Sequence, residues 1–166
     1  LSKAAAHMAV DTYRQVYGIR AVNLILSNFI SEFQDSKFVV GKVVNYLFSS
    51  MSEKLTLGNV DSIRDWSYVD DIVGAIQIIV LDGTSTNYCV ASGNKMTVRE
   101  IIELFFSSAE IDNPYDYITI EKKLFRVGDT NFSNIDCSKI RSIGWAPKYT
   151  IKDMVVKILH EKKKTT

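Results

Sequence analysis

The sequence has few cysteines and prolines, no long apolar run and almost no net charge. Its 166 residues include two cysteines and two prolines, which argues against a disulfide scaffold and against a proline-rich segment. The formal charge of +1 provides no basic surface that would favour nucleic acid or an anionic membrane as a partner. No membrane span, signal peptide or Cys/His metal motif is recognisable. These absences predict a cytoplasmic protein that binds neither nucleic acid, membrane nor metal.

The sequence does contain enough apolar residues to bury a core. Hydrophobic residues make up 46% and charged residues 23% of the chain, a composition typical of a globular domain. The first residue is Leu1 rather than methionine, and a helical pattern starts immediately. We therefore expect that further residues precede this segment in the natural protein.

Helical and strand patterns alternate in the first half of the chain. Apolar residues recur at helical spacing from Ser2 to Tyr17, and Gly18 marks the end of this helix. The nearly continuous apolar segment 19–28 is typical of a parallel strand that is buried on both faces. Further helices are predicted at about 38–50 and 69–81, with a short strand at 55–57.

The second half of the chain continues the alternation. Capping boxes begin two helices, one at Thr97 with Glu100 and one at Thr150 with Asp153. Strands are predicted at 87–92 and 116–121, and a short helix ends at Gly144. The pattern predicts an α/β fold, and we interpret the chain as the second half of a larger α/β unit.

An arginine near the centre of the chain has an unusual local context. Arg64 follows a short strand and a turn that contains Gly and Asn, and it precedes a predicted helix. A guanidinium in that position can hold a phosphate, since its planar fork grips two oxygens at once. The alternative is a solvated ion pair of Arg64 with Asp65, next to a core residue, Trp66. Lys42 and Arg126 are further cations that could bind the same phosphate group as Arg64.

Four segments of the chain carry a distinctive set of motifs. They are LSK (1–3), YGIRAVNLILSN (17–28), LGNVDSIRDWSYVDDIVGAI (57–76) and FRVGDTNFSNIDCSKIRSIGWAPKYTIKDMV (125–155). The first is similar to the end of a YxxSK motif, and the third is similar to LGNxDxxRDWxxxxDxVxA. These motifs are those of the GDP-mannose 4,6-dehydratases, which are extended short-chain dehydrogenase/reductases. The chain resembles that family along nearly its whole length.

The resemblance implies a fold and a division into domains. It places residues 1–30 in the C-terminal part of a Rossmann-type, dinucleotide-binding domain. Residues 31–166 would form mainly the small α/β domain that binds the nucleotide sugar, with short returns to the Rossmann domain. The glycine-rich phosphate loop of the family would lie upstream, since no GxxGxxG motif occurs here.

The resemblance also implies site residues. Lys3 would be the lysine of YxxxK, which holds the nicotinamide ribose and lowers the pKa of the catalytic tyrosine; that tyrosine would lie four residues before Lys3, outside this sequence. The sugar nucleotide would be bound by Asn28 at the sugar or pyrophosphate, Lys42 and Arg64 at the phosphates, and Arg126 with Asp129 at the nucleoside.

Considered without the resemblance, several of these residues have structural alternatives. Lys3 and Lys42 are also interpreted as solvated lysines on helices, Asn28 as the end of a strand, and Asp129 as part of a turn. His7 and His160 have no recognisable partner, and we interpret them as structural or exposed.

The implied reaction is that of a lyase that converts GDP-mannose to GDP-4-keto-6-deoxymannose, in GDP-fucose biosynthesis. The upstream tyrosine takes the proton of the C4 hydroxyl while NADP, or NAD, accepts the C4 hydride. An upstream glutamate assists loss of water across C5 and C6, and the hydride returns to C6. This segment alone is expected to be inactive. The intact protein is expected to be a homodimer or higher homo-oligomer, with the alanine-rich helix 2–17 as the dimer surface.

The chain departs from the family at a loop and at one acid. Residues 28–36 read NFISEFQDS where the dehydratases have NHESPRRGE, so both arginines of a loop that reaches a neighbouring subunit's cofactor are missing. A tetramer built through that loop is therefore not expected. Asp129 stands where the family usually has Glu.

Two other functions remain open at this point. One is an NAD-dependent nucleotide-sugar epimerase, which uses the same Tyr–Lys pair without elimination. The other is a non-enzymatic protein segment that binds a nucleotide sugar.

Overall fold

Helices and short strands alternate along the chain, as predicted. A computed structural model describes residues 2–126, 128 and 134–165. The helices are α1 (Ser2–Tyr17), α2 (Val39–Leu47), α3 (Val69–Asp82), α4 (Val98–Ser108), α5 (Ser138–Ser142) and α6 (Ile151–Thr165). The strands are β1 (Leu24–Leu26), β2 (Asn28–Ile30), β3 (Leu55–Leu57), β4 (Ile63–Tyr68), β5 (Tyr88–Val90), β6 (Lys95–Thr97) and β7 (Ile118–Ile120). Single 3₁₀ turns occur at Pro114–Asp116 and Lys122–Leu124.

The strands form small sheets that are mainly parallel. β1 pairs with β5 and β3 pairs with β7, both in parallel. β4 is the central strand of the order β2-β4-β6, parallel to β2 and antiparallel to β6. The connections between parallel partners contain helices, which is the arrangement of an α/β fold.

Local sequence signals account for where several helices begin and end. The capping box of α4 is complete, because Glu100 N–H donates to Thr97 Oγ1 (3.1 Å) and the Glu100 carboxylate accepts from Thr97 N–H (2.7 Å). Thr150 and Asp153 form the same pair before α6. Helix α3 ends at Gly83, whose φ of 71° is in the left-handed region that glycine adopts without strain.

The predicted strand 19–28 is only partly correct. The structure divides this segment into β1 and β2, which belong to different sheets, and residues 19–23 are not in a strand. Burial on both faces is also wrong for the described part of the chain, since Ile25 is 45% exposed. The physical reason is that β1 has a strand on one side only among the described residues, so its apolar side chains are not covered as they are inside a larger sheet.

Strand β4 was not predicted from the sequence. The residues of β4 were interpreted as the end of a turn, because polar Arg64 and Asp65 follow the turn residues of 58–62. In the structure β4 pairs with a strand on each side. Its Trp66 is opposite Asn28 of β2, and its Arg64 is opposite Met96 of β6. Pairing with two distant segments decides this strand, and no local pattern reports such pairing.

The buried hydrophobic residues form two separate cores. The larger core is built by β2, α2, β3, β4, α4, β7 and α6, and it includes Tyr68, Phe105, Phe106 and Met154. The smaller core is built by α3, β5 and α5, with β1 packed against it, and it includes Ile72, Val90, Ile140 and Trp145. The predicted core position of Trp66 is confirmed, since its side chain is 2% exposed in the larger core.

Candidate functional site

Asn28 and Arg64 lie on adjacent strands and on the same face of the sheet. Asn28 is opposite Trp66 in the parallel register, and Arg64 is two residues before Trp66 on β4. Paired residues and residues two apart along a strand share a face. The structure therefore brings these two predicted phosphate ligands to neighbouring positions, although they are far apart in the sequence.

The surroundings of Arg64 differ from those predicted. The residue is half-buried within a strand, not exposed in a loop at the start of a helix, and its Nη1 donates to the carbonyl of Ile63 (3.0 Å). Asn28 is exposed, and no side-chain hydrogen bond of Asn28 to another described residue is present. The guanidinium of Arg64 and the exposed amide of Asn28 are both groups that can donate hydrogen bonds to an anionic or hydroxylated ligand.

Asp65 is not the partner of a solvated ion pair, so that alternative is wrong. Its carboxylate is 3% exposed and accepts hydrogen bonds from Ser92 N–H (3.1 Å) and Gly93 N–H (2.8 Å). The hydroxyl of Ser92 lies 3.1 Å from the same carboxylate. Ser67 continues this buried polar group, because its hydroxyl is 2.8 Å from that of Ser27. These hydrogen bonds join β4 to Ser27, which follows β1, and to Ser92 and Gly93, which follow β5. They therefore hold the part of β4 that carries Arg64 in place.

Lys42 and Arg126 lie on other elements. Lys42 is half-buried on α2, between the buried residues Gly41 and Val43. Arg126 is exposed and follows the 3₁₀ turn Lys122–Leu124. Asp129 lies outside the described residues.

A close contact brings the segment of Arg126 to the turn that precedes β4. A Cβ added at Gly58 would lie 3.0 Å from the carbonyl oxygen of Leu124, and Glu121 N–H donates to Leu57 O (2.9 Å). A side chain at this position would be tightly packed against the backbone of Leu124. Arg126 follows Leu124 by two residues. Its segment therefore lies close to Leu57 and Gly58, which precede β4 in the sequence.

Lys3 is exposed on the first turn of α1, and no hydrogen bond of its side chain to another described residue is present. The helix is attached to the rest of the fold by a polar cluster of His7, Asp11, Arg14, Asn23 and Asn87. The hydrogen bond from Arg14 lowers the pKa of Asp11.

The interpretation that His7 has no partner is wrong. His7 Nε2 lies 3.2 Å from Asn87 Nδ2 and 3.4 Å from Asp11 Oδ2. Asp11 is four residues along the same helix and so is visible in the local sequence, whereas Asn87 follows His7 by 80 residues and is not. His7 is a structural residue in the attachment of α1, which is one of the two interpretations that the sequence allows.

Sequence reasoning missed a second cluster, at the end of β4. The rings of Tyr68 and Tyr149 are 4.6 Å apart, and Lys157 Nζ lies 4.7 Å and 4.9 Å from their centres. Lys157 also pairs with Asp70 (2.7 Å), which raises the pKa of the ammonium. Burial, and then the hydrogen bond from the Tyr68 hydroxyl to Glu32 (2.8 Å), raises the pKa of that phenol. The aromatic residues at 68 and 149 were the available signal.

Asp71 has a structural role that its position in a helix did not reveal. Asp70 and Asp71 lie in the first turn of α3, where a negative charge interacts favourably with the helix dipole. Asp71 is 3% exposed, and its carboxylate accepts from the backbone N–H groups of Lys148 (2.9 Å) and Tyr149 (3.3 Å). It therefore anchors the segment that leads into α6.

Two other features, a metal site and a membrane span, are absent from the described residues. No group of three His, Cys, Asp or Glu side chains in this part of the chain could hold a metal ion. No helix within it combines the length and the apolar character that a membrane span needs.

Several solved structures are similar to this chain, among them a dehydratase and an epimerase of nucleotide sugars. RMD from Pseudomonas aeruginosa, complexed with NADPH, superposes with a TM-score of 0.86 at 23% identity, over 99% of this chain and 56% of that chain. DesIV, the dTDP-glucose 4,6-dehydratase of Streptomyces venezuelae with NAD and TYD bound, gives 0.88 at 20% identity, over 98% and 50%. UDP-glucose 4-epimerase of Thermotoga maritima gives 0.86 at 22% identity, over 98% and 52%. The predicted fold, the second half of an extended short-chain dehydrogenase/reductase, is confirmed.

Sequence comparisons identify the family. GDP-mannose 4,6 dehydratase 1 of Arabidopsis thaliana is 32% identical over 164 residues, which cover 96% of this chain and 45% of that protein. GDP-mannose 4,6 dehydratase of Homo sapiens is 26% identical over 179 residues, which cover 96% of this chain and 48% of that protein. The chain thus spans a little under half the length of these relatives. Because a sequence model of GDP-mannose 4,6 dehydratase matches residues 1–158, which include β4 and its neighbours in the sheet, the chain belongs to the GDP-mannose 4,6-dehydratase family.

Proposed function

We propose that this chain is the sugar-nucleotide-binding part of a GDP-mannose 4,6-dehydratase, a lyase that forms GDP-4-keto-6-deoxymannose. The observation that carries the proposal is the family match over residues 1–158. The placement of Asn28 and Arg64 on one face of the sheet supports it. The chain spans a little under half the length of the curated relatives, and in this proposal the catalytic tyrosine and glutamate lie outside these 166 residues.

In this proposal the chain positions the substrate. Arg64 binds the diphosphate with two prongs of its guanidinium, and Asn28 donates its amide to the pyrophosphate or the sugar. Lys42 adds a positive charge at the phosphates, and Arg126 with Asp129 binds the nucleoside. Holding reacting groups in place in this way supplies roughly 7–11 kcal/mol of a reaction barrier in favourable cases.

The residues present also fit a nicotinamide cofactor at the start of α1. Lys3 carries an exposed ammonium on the first turn, which suits the hydroxyls of a ribose. When bound, NADP or NAD supplies the hydride acceptor for C4 and the donor for C6. The likeness to RMD complexed with NADPH and to DesIV with NAD supports this cofactor class and leaves both forms in the proposal.

The dehydratase activity is tested on the full-length protein and on the 166-residue chain side by side. We expect the full-length protein to convert GDP-mannose to the 4-keto-6-deoxy product, detected by mass spectrometry as loss of water. The isolated chain should give no product, because it lacks the tyrosine and the glutamate of the proposed site. Turnover by the isolated chain would show that the catalytic groups are misplaced.

Two results would favour the alternative functions instead. An epimerised sugar of unchanged mass would indicate a nucleotide-sugar epimerase. Tight binding of GDP-mannose by the full-length protein without any product, with the cofactor present, would indicate a binding protein.

We also propose that the two cores correspond to the two predicted domains. The smaller core would belong to the dinucleotide-binding domain, with α3, β5 and α5 as the returns of the chain to it. The larger core would be the substrate domain. The free thiols of Cys89 and Cys137 are compatible with a cytoplasmic location and with GDP-fucose biosynthesis there.

Helix α1 is proposed as the surface of a homodimer. Its outer face carries exposed apolar side chains, among them Met8 (68%) and Val16 (64%), while the face towards the fold carries the polar cluster of His7, Asp11 and Arg14. This is the reverse of the pattern of a solvated surface helix. A second copy of the same helix would cover the apolar face, and the small residues Ala5 and Ala9 allow a close approach.

Replacing Ala5 with Glu tests the dimer. We expect the mass of the full-length protein in light scattering to fall to that of a monomer, because a two-fold interface buries the new charge twice. The matched control is Ser108→Glu, which adds the same charge at the exposed end of α4 and should leave the mass unchanged. An unchanged mass in Ala5→Glu would remove α1 from the interface.

A further inference from the structure

The loop of residues 31–38 connects two of the candidate ligands of the sugar nucleotide. It begins after Ile30, the last residue of β2, and ends before Val39, the first residue of α2. Asn28 lies at the start of β2, and Lys42 lies in the first turns of α2. The position of this loop therefore influences the relative positions of Asn28 and Lys42.

Glu32 attaches the loop to the end of β4. Its carboxylate accepts a hydrogen bond of 2.8 Å from the hydroxyl of Tyr68, which is opposite Ile30 in the parallel register. Tyr68 is a rigid anchor, because its side chain is 0% exposed and contacts the ring of Tyr149 and the ammonium of Lys157. The loop is thus folded back on its own subunit.

The loop also rests directly on α2 beside Lys42. A Cβ added at Gly41 would lie 2.3 Å from the backbone oxygen of Asp35 and 2.6 Å from that of Gln34. Gly41 precedes Lys42 in the sequence. A displacement of the loop would therefore change the immediate surroundings of the Lys42 backbone.

The observed position of the loop has an unfavourable feature that needs compensation. The Oε1 atom of Gln34 is buried and has no hydrogen-bond partner among the described residues. Burying an acceptor without a partner costs free energy, since the atom gives up its bond to water. A charge-assisted hydrogen bond is among the stronger ones, so the contact of Glu32 with Tyr68 is suited to hold the loop in place.

We propose that Glu32 is a positioning residue for the sugar nucleotide. Its hydrogen bond with Tyr68 holds the loop 31–38 in the position in which Asn28 and Lys42 can bind the same sugar nucleotide. The inference rests on the proposed function of these two residues. It assigns a role to a residue in the loop where the chain departs most from the family motif. Glu32 itself need not contact the substrate.

The test compares Glu32→Ala with Tyr68→Phe in the full-length protein. Each removes one partner of the hydrogen bond, and Phe keeps the buried ring. We expect the KM for GDP-mannose to rise about tenfold in both, the change that corresponds to a hydrogen bond of ~1.4 kcal/mol, with kcat within about twofold of the wild type. Glu32→Gln, which keeps an acceptor oxygen, should recover part of the loss.

Hydrogen exchange of the backbone N–H groups in 31–38 provides a measurement that does not depend on turnover. Exchange should accelerate in Glu32→Ala and Tyr68→Phe and remain at the wild-type rate in Glu53→Ala, a control at an exposed glutamate. A double variant of Glu32 and Tyr68 should be no worse than either single variant, because both remove the same contact.

The possible failures are distinguishable. An unchanged KM in Glu32→Ala beside an active wild-type protein would overturn the positioning role alone. A fall in kcat and in melting temperature at constant KM would also overturn it, since that pattern describes a merely structural residue. Failure of the wild-type protein to bind or convert GDP-mannose would overturn the proposed function, and with it the role of Glu32 in binding that substrate.

Discussion

Replacement of Arg64 by Ala is expected to weaken the binding of GDP-mannose to the full-length protein by about 10- to 150-fold. This range corresponds to roughly 1.5–3 kcal/mol, the usual contribution of a hydrogen bond to a charged group. The physical reason is the loss of a two-pronged donor that β4 presents on the same face as Asn28. Calorimetric titration of GDP-mannose into wild type and variant measures the change directly.

Arg64→Lys should recover only part of this loss. An ammonium keeps the positive charge but cannot reproduce the two parallel hydrogen bonds of a guanidinium. The matched control is Arg20→Ala, because Arg20 precedes β1, donates to the carbonyl of Gly83 and is not a candidate ligand of the sugar nucleotide. Affinity in Arg64→Ala equal to that of the control would end the assignment of Arg64 to the diphosphate.

Replacement of Asp65 by Ala is expected to lower the free energy of unfolding by roughly 1–3 kcal/mol, the usual cost of leaving a buried hydrogen-bonding group without its partner. The loss follows from the donors that the carboxylate satisfies, the N–H groups of Ser92 and Gly93 and the hydroxyl of Ser92. The N–H group of Gly93 would lose its acceptor, whereas the Ser92 N–H keeps Ser67 Oγ (3.1 Å) and the Ser92 hydroxyl keeps the carbonyl of Trp66 (2.7 Å). Urea unfolding of the full-length protein, followed by fluorescence, measures the change.

Asp65→Asn separates the charge from the shape of this side chain. Asn keeps one acceptor oxygen but turns an N–H₂ group towards backbone donors, so we expect an intermediate loss of stability. Asp112→Ala removes an exposed carboxylate and should change stability by less than about 0.5 kcal/mol. A loss in Asp65→Ala no larger than in Asp112→Ala would show that the buried polar group does not join β4 to β5.

Both predictions depend on a strand that local patterns did not reveal. The residues before β4 are good turn residues, and Arg64 and Asp65 extend a polar run, so a loop was the natural interpretation. The strand exists because β2 and β6 pair with it on both sides. Placing Arg64 in that strand changes its role from a residue in a mobile turn to one on a fixed face of the sheet.

The resemblance to a family supplied what local patterns could not. The motif around Arg64 and the segment of Lys3 led to a family assignment that the match over residues 1–158 confirms. It did not lead to Glu32, because the loop 28–36 departs from the family motif. The roles of the individual site residues stay predictions, which the variants above address.

The sequence by itself determined the α/β class and the starts of α4 and α6. Those features depend on residues a few positions apart, such as Thr97 with Glu100 and Thr150 with Asp153, so a local pattern contains all the necessary information.

The tertiary structure alone decided the partners of the polar residues. Asp65 bonds Ser92 across 27 positions, Tyr68 bonds Glu32 across 36, and His7 meets Asn87 across 80. A buried carboxylate or hydroxyl is stable only when donors and acceptors from other elements converge on it. That convergence is a property of strand pairing and packing, which is why no spacing in the sequence reports it.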